Sequence, residues 1–206
     1  MTKVKICGIT NLGDAMAACR YGADALGFVF AKSPRKISSR KAAAIIKKLP
    51  SHIAKVGVFV DEDAKNILRI AKDCRLDCAQ LHGGESINYC KGLKKYIKII
   101  KAVRLSGDKG LRGLKKYDVD AFLLDSYVKG KHGGTGTAFD WALAVKAKDA
   151  GKPVIIAGGL NHKNVGSAIS KVRPYAVDAS SGLERSPGRK DRSLVKKFIE
   201  AAKARR

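Results

Sequence analysis

Acidic residues are scarce in this chain: 18 Asp and Glu stand against 42 Lys and Arg, a formal net charge of +24 over 206 residues. Long apolar runs are missing as well. None reaches the roughly 18 residues that a bilayer span requires, and Met1-Thr2-Lys3-Val4-Lys5 lacks the apolar core of a secretory leader. The chain is therefore expected to stay off the membrane. Cysteine is limited to Cys7, Cys19, Cys74, Cys78 and Cys90, an odd number at irregular spacing. This argues against a disulfide framework and for a reducing, cytoplasmic setting. Three residues separate Cys74 from Cys78, and no second pair matches them, so no metal site is expected. Burial as small hydrophobes accounts for every cysteine except Cys7.

Two nucleotide signatures are absent. Cys7-Gly8-Ile9-Thr10-Asn11 is not a dinucleotide fingerprint, and Gly130–Gly136 contains no Gly-Lys-Ser/Thr. The positive charge raises the prospect of a nucleic-acid partner, yet its distribution points elsewhere. Lysines recur as Lys47-Lys48, Lys94-Lys95, Lys115-Lys116 and Lys196-Lys197 inside predicted helices. There is no basic tail, no stacking series of aromatics and no paired Cys/His finger. A solvated outer ring of helices is expected, with no nucleic-acid partner and some steering of small anions.

What is present is alternation. Strand-like runs occur at 4–7, 25–30, 55–60, 77–81, 98–103, 121–125, 153–157 and 175–179. Helical stretches fall between them at 12–20, 40–48, 64–74, 86–95, 109–116, 141–150, 163–171 and 192–202, with Asn11, Ser39, Asp140, Asn161 and Asp191 as N-caps. Continuous apolar strands separated by helices predict a parallel sheet covered by helices. Eight such units in about 200 residues predict an α/β single-domain (β/α)8 TIM barrel over residues 1–206. A doubly wound open sheet is the alternative, and it would want the missing fingerprint.

In such a barrel the strand C-termini converge on one mouth. Two strand ends carry reactive side chains: Cys7, after Val4-Lys5-Ile6, and Asp125, after Leu123-Leu124. A thiol and a carboxylate without a ligand cluster suggest proton transfer by side chains alone. Small residues follow the last two strands, Gly158-Gly159-Leu160-Asn161 and Ser180-Ser181-Gly182. Such loops let backbone N–H groups approach a phosphate, so Gly158, Gly159, Ser180, Ser181 and Gly182 are candidate phosphate-binding residues.

The ordered series Val4-Lys5-Ile6-Cys7-Gly8-Ile9-Thr10, Gly22–Phe30, Ser33-Pro34-Arg35, Gln80-Leu81-His82-Gly83, Phe122-Leu123-Leu124-Asp125, Gly133-Gly134-Thr135-Gly136, Gly158-Gly159-Leu160-Asn161 and Val177–Glu184 resembles the phosphoribosylanthranilate isomerase family of tryptophan biosynthesis. The resemblance covers nearly the whole chain. It implies a cofactor-free Amadori rearrangement of N-(5-phosphoribosyl)anthranilate, a small-molecule phosphosugar-anthranilate, with Cys7 as general base and Asp125 as general acid. The thiol must then be favoured as thiolate, by Lys5 or by helix dipoles, and Asp125 must hold a proton through burial. Arg35 is implied to meet the anthranilate carboxylate. His82 is either a mouth residue or a structural histidine bonded to a neighbouring loop, and Asp178 orients backbone or a hydroxyl. Gly133–Gly136 reads as a lid. Other phosphosugar enzymes on this barrel would bring a strand-end catalytic lysine or a metal-binding His/Asp set, and neither is found. The chain is expected to act as a monomer or homodimer.

Overall fold

Eight short runs of alternating facing pair in parallel and close into a ring. The computed structural model describes residues 1–104, 111–125 and 141–204. In chain order the elements are β1 (Lys3–Cys7), α1 (Leu12–Tyr21), β2 (Ala25–Val29), α2 (Ser39–Ile46), β3 (Ala54–Phe59), α3 (Ala64–Cys74), β4 (Cys78–Leu81), α4 (Ile87–Lys94) and β5 (Lys98–Arg104). There follow β6 (Ala121–Asp125), α5 (Trp141–Lys146), β7 (Val154–Ala157), α6 (Val165–Val172), β8 (Ala176–Ala179), β9 (Glu184–Ser186), β10 (Arg189–Lys190) and α7 (Arg192–Lys203). Strands β1 to β8 form a closed barrel in sequence order, sealed by β1 against β8.

Side chains alternate across each strand, so every second residue faces the barrel interior. Val56, Ile100, Ala102, Ala121, Leu123, Ile155, Ala157 and Ala176 pack there in one cluster. The opposite parity, including Val4, Ile6, Leu26, Phe28, Phe122, Leu124, Ile156 and Val177, packs against the helices in a larger one. Burial of this second layer is the main source of stability. The same parity places Lys5, Cys7, Gln80, Asp125 and Asp178 on the inner face.

The expected strands all form, with ends shifted by at most a residue or so; Ala121–Asp125 agrees to the residue. The helices need three corrections. Ser38, not Ser39, caps α2, accepting from the Lys41 N–H at 3.3 Å, because Ser39 already has helical backbone. Asn161 is not the cap of α6: its side chain accepts from the Lys163 N–H in a preceding turn, and Asn164 occupies the cap position. Between β5 and β6 the described residues hold only a 3₁₀ turn, Leu114–Lys116, opened by Gly113 at φ +81°. The expected cap Asp140 and lid Gly133–Gly136 lie outside the described residues. The lysine pairs are exposed except for half-buried Lys94, as a solvated outer ring requires.

Candidate active site

Cys7 ends β1 with its side chain turned into the mouth, and the thiol is buried at 7% exposure. Its neighbour in register on β2 is Gly27, where an added Cβ would lie 2.6 Å from the Cys7 sulfur. Only glycine leaves room for the thiol. Two residues back on the same face, Lys5 reaches Asp178, its register partner on β8, with Nζ 3.0 Å from Oδ2. Both are buried. Burial opposes the Lys5 charge, but Asp178 and Cys7 outweigh it and raise its pKa. The Cys7 thiol lies above its usual pKa: burial is the largest cause and Asp178 adds to it, while Lys5 and Lys190 offset only part of the rise, so the expected shift toward thiolate is not found in this arrangement.

A second charged cluster stands beside the thiol. Arg35, in the loop after β2, donates from Nε to both Glu184 oxygens at 2.9 and 3.0 Å and from Nη2 to Oε2 at 2.7 Å. Lys190 Nζ donates to Glu184 Oε1 at 2.8 Å and to the Ser180 carbonyl at 3.2 Å. Burial works against the Glu184 charge, yet these two cations hold its pKa below the usual range. Burial lowers the Lys190 pKa despite Glu184. The antiparallel β9–β10 ribbon brings Glu184 and Lys190 into register. Its position is fixed by the Lys190 N–H, which donates to Asp14 on α1 at 2.9 Å. Glycine at position 8 places Arg35 and Ser180 over the end of β1: an added Cβ would meet Arg35 Cδ at 2.7 Å and Ser180 Oγ at 2.9 Å.

Across the mouth, Asp125 ends β6. Its Oδ2 lies 3.2 Å from His82 Nε2, and His82 Nδ1 lies 3.0 Å from Gln80 Nε2. His82 is thus bonded across two strands. The residue is held by a buried clamp in which Lys101 Nζ binds Glu85 Oε2 and the Gly83 carbonyl, both at 2.7 Å. His82, Gly83, Glu85 and Lys101 line a cavity of about 460 Å³ together with Val60, Arg104, Arg112 and Tyr117.

The small-residue loops meet at the remaining side. Gly158 and Gly159 have φ of +82° and +65°, backbone that a side chain would strain. Ser181 and Gly182 lie in a 3₁₀ turn after β8, and Gly182 packs against the Leu160 carbonyl, 2.5 Å from where a Cβ would sit. Ser180 Oγ and Asp178 Oδ1 are buried without a hydrogen-bond partner among the described residues. Sequence reasoning assigned no role to Glu184, Lys190 or Gln80. A glutamine at an inward position of an apolar strand was a readable signal; the ribbon carried none. All five cysteines are free; Cys74 and Cys90 are buried as expected, whereas Cys19 and Cys78 are only half-buried. Among the described residues no helix is long and apolar enough to cross a membrane, and no group of three or more His, Cys, Asp or Glu is placed to hold a metal ion.

Comparison with known proteins agrees with this arrangement. Residues 4–201 match the family model of N-(5'-phosphoribosyl)anthranilate (PRA) isomerase. An N-(5'-phosphoribosyl)anthranilate isomerase of Geobacter sp. (strain M21) is 52% identical over 204 residues, covering 98% of each chain. The crystal structure of the phosphoribosyl anthranilate isomerase of Thermotoga maritima superposes with a TM-score of 0.92 at 45% identity, over 98% of this chain and 99% of that one. A phosphoribosyl anthranilate isomerase solved in complex with reduced 1-(o-carboxyphenylamino)-1-deoxyribulose 5-phosphate superposes at 0.88 with 43% identity, over 98% and 99%. A barrel whose mouth joins a buried thiol, a carboxylate and two glycine-rich loops thus sits inside a match running almost end to end, and the chain belongs to the N-(5'-phosphoribosyl)anthranilate isomerases of tryptophan biosynthesis.

Proposed function

We propose that this isomerase rearranges N-(5-phosphoribosyl)anthranilate to 1-(2-carboxyphenylamino)-1-deoxyribulose 5-phosphate without a cofactor, using Cys7 as base and Asp125 as acid. The observation that carries the reading is the inward placement of both groups at the ends of β1 and β6; two ammonium groups beside the thiol offset part of the rise that burial imposes on it. Asp125 gives its proton to the furanose oxygen as the C1–O bond breaks and the aniline nitrogen forms the C=N bond. Cys7 then removes the C2 proton, leaving an enolamine. Proton return to C1 and loss of the C2 hydroxyl proton give the ketone, so protons balance over the cycle.

Arg35 is assigned to the anthranilate carboxylate. Glu184 occupies the Nε–Nη2 edge of the guanidinium, which leaves the Nη1–Nη2 edge for a second two-point contact. Asp178 Oδ1 is assigned to a sugar hydroxyl and His82 to the substrate side of the mouth. The Gly158-Gly159 and Ser180-Ser181-Gly182 loops are assigned to the phosphate. We place the enzyme in the cytoplasm as one barrel domain over residues 1–206, a monomer or homodimer acting on a small molecule. A related isomerase of Thermotoga maritima is described as dimeric, which supports the homodimer.

The test is turnover of N-(5-phosphoribosyl)anthranilate, read as loss of anthranilate fluorescence with EDTA present. Rapid loss is expected. A folded protein that leaves the fluorescence unchanged overturns the substrate, and activity that EDTA abolishes overturns the cofactor-free step.

A further inference from the structure

Gln80 is 1% exposed, and its two amide atoms are treated unequally: Nε2 bonds His82 Nδ1 at 3.0 Å, while Oε1 is buried with no partner among the described residues. With the amide nitrogen toward Nδ1 a neutral ring is the Nε2–H tautomer, its Nε2 3.2 Å from Asp125 Oδ2; with the amide oxygen there it is the Nδ1–H tautomer. With the amide nitrogen toward Nδ1, a pair that carries a single proton keeps it on the ring. A general acid needs a second proton on the pair.

The ring can receive that proton only at Nδ1, the atom Gln80 blocks. A half-turn of the amide exchanges Nε2 for Oε1, and the unpartnered oxygen becomes the acceptor for Nδ1–H. The pair then carries two protons, as imidazolium with carboxylate or as imidazole with carboxylic acid. Delivery of one to the furanose oxygen restores the starting state, with the ring proton back on Nε2 and the amide turned back.

We propose that Gln80 is a positioning residue whose amide orientation sets the His82 tautomer and so loads Asp125 with its acidic proton. The proposal rests on Asp125 being the acid. Among the described residues, charged groups lie near the pair on several elements. On β5, Arg104 is the register partner of Asp125. Arg112 lines the same cavity, where Glu85 is paired with Lys101. Asp61, at the end of β3, accepts from the Gly84 N–H, and on β7 the register partner of Asp125 is Ala157. Across the barrel Lys5 is paired with Asp178.

Nitrogen-15 NMR of the wild-type protein tests the tautomer directly, with the His82 ring assigned by its loss in His82→Gln. The neutral ring at alkaline pH should be the Nε2–H form; a dominant Nδ1–H form overturns the proposal. In Gln80→Leu the two tautomers should mix, and kcat should fall about tenfold with KM within about twofold. In Gln80→Glu the added carboxylate accepts Nδ1–H, so the ring should stay doubly protonated, and kcat should persist, to about one pH unit higher. A folded Gln80→Leu enzyme with wild-type kcat and pH profile reduces Gln80 to packing. Should Asp125→Asn keep its kcat, the acid assignment itself fails; the NMR result stands apart from that outcome.

Discussion

On the β1–β8 side of the mouth, three cations and two carboxylates interlock: Lys5, Arg35 and Lys190 with Asp178 and Glu184. On the β4–β6 side, His82 and Asp125 stand partly open, with side chains 22% and 15% exposed, joined to an uncharged glutamine. The first cluster has one positive charge in excess, and a Cys7 thiolate would neutralise it. The second is a chain of hydrogen bonds from Gln80 through His82 to Asp125. On the proposed mechanism the two sides serve a reactive group differently: permanent charge surrounds the base that must ionise, and a hydrogen-bond chain surrounds the acid that must be loaded and unloaded. Permanent charge is costly to bury, which is why every member of the first cluster is paired.

The comparison is broken most severely at its two ends. Cys7→Ala and Asp125→Asn should each lower kcat by about 10²–10⁴-fold while the protein stays folded. The double variant should be no worse than the product of the two losses. Cys19, Cys74, Cys78 and Cys90 changed to Ala should affect stability and leave kcat near wild type. Steady-state rates beside circular dichroism decide; a folded Cys7→Ala enzyme with most of its kcat makes the base assignment wrong.

A smaller effect tests the charge balance. Lys5→Met alone strands Asp178, a loss of about 3–5 kcal/mol, so Lys5→Met with Asp178→Asn is the informative variant. Burial is already the largest influence on the thiol; losing the Lys5 charge and hydrogen bond outweighs losing the opposing Asp178 charge, so its pKa climbs and thiolate forms at higher pH. The pH at which iodoacetamide alkylates Cys7 at half its maximal rate should rise by about one unit or more. An unmoved midpoint would assign the thiol's ionisation to other groups.

Next, Glu184→Gln removes the anchor of Arg35 and should raise KM about tenfold with a lesser change in kcat. Unchanged KM in a folded variant would detach Arg35 from the substrate carboxylate. The smallest effect is global. If the +24 charge steers an anionic substrate, kcat/KM should fall a few-fold from low to physiological salt at level kcat. A flat response would leave the exposed lysines a matter of solubility.

The barrel was legible because its strands are apolar on both faces and end at turns, and Leu123-Leu124-Asp125 marks such an end to the residue. Cys7 was legible for the same reason. Its environment was less so: Lys5 is visible as a lysine inside a strand, but its pairing with Asp178 depends on β1 meeting β8 across the whole chain. Glu184 and Lys190 sit in a ribbon of five residues with no apolar alternation, and local sequence cannot signal it. The cap of α2 was misplaced because Ser38 and Ser39 are chemically equal and only backbone angles separate them.

The bond from the Lys190 N–H to Asp14 spans 176 residues of sequence. A ribosome therefore delivers the thiol early and its second ammonium group late. Until the segment from Glu184 to Lys190 has emerged, Arg35 lacks the Glu184 carboxylate and α1 lacks the bond from Lys190 to Asp14. A chain that stops within that interval lacks the carboxylate that holds Arg35 and the second ammonium group near Cys7. The ring can therefore close, by β1 against β8, before the charges beside the thiol are complete.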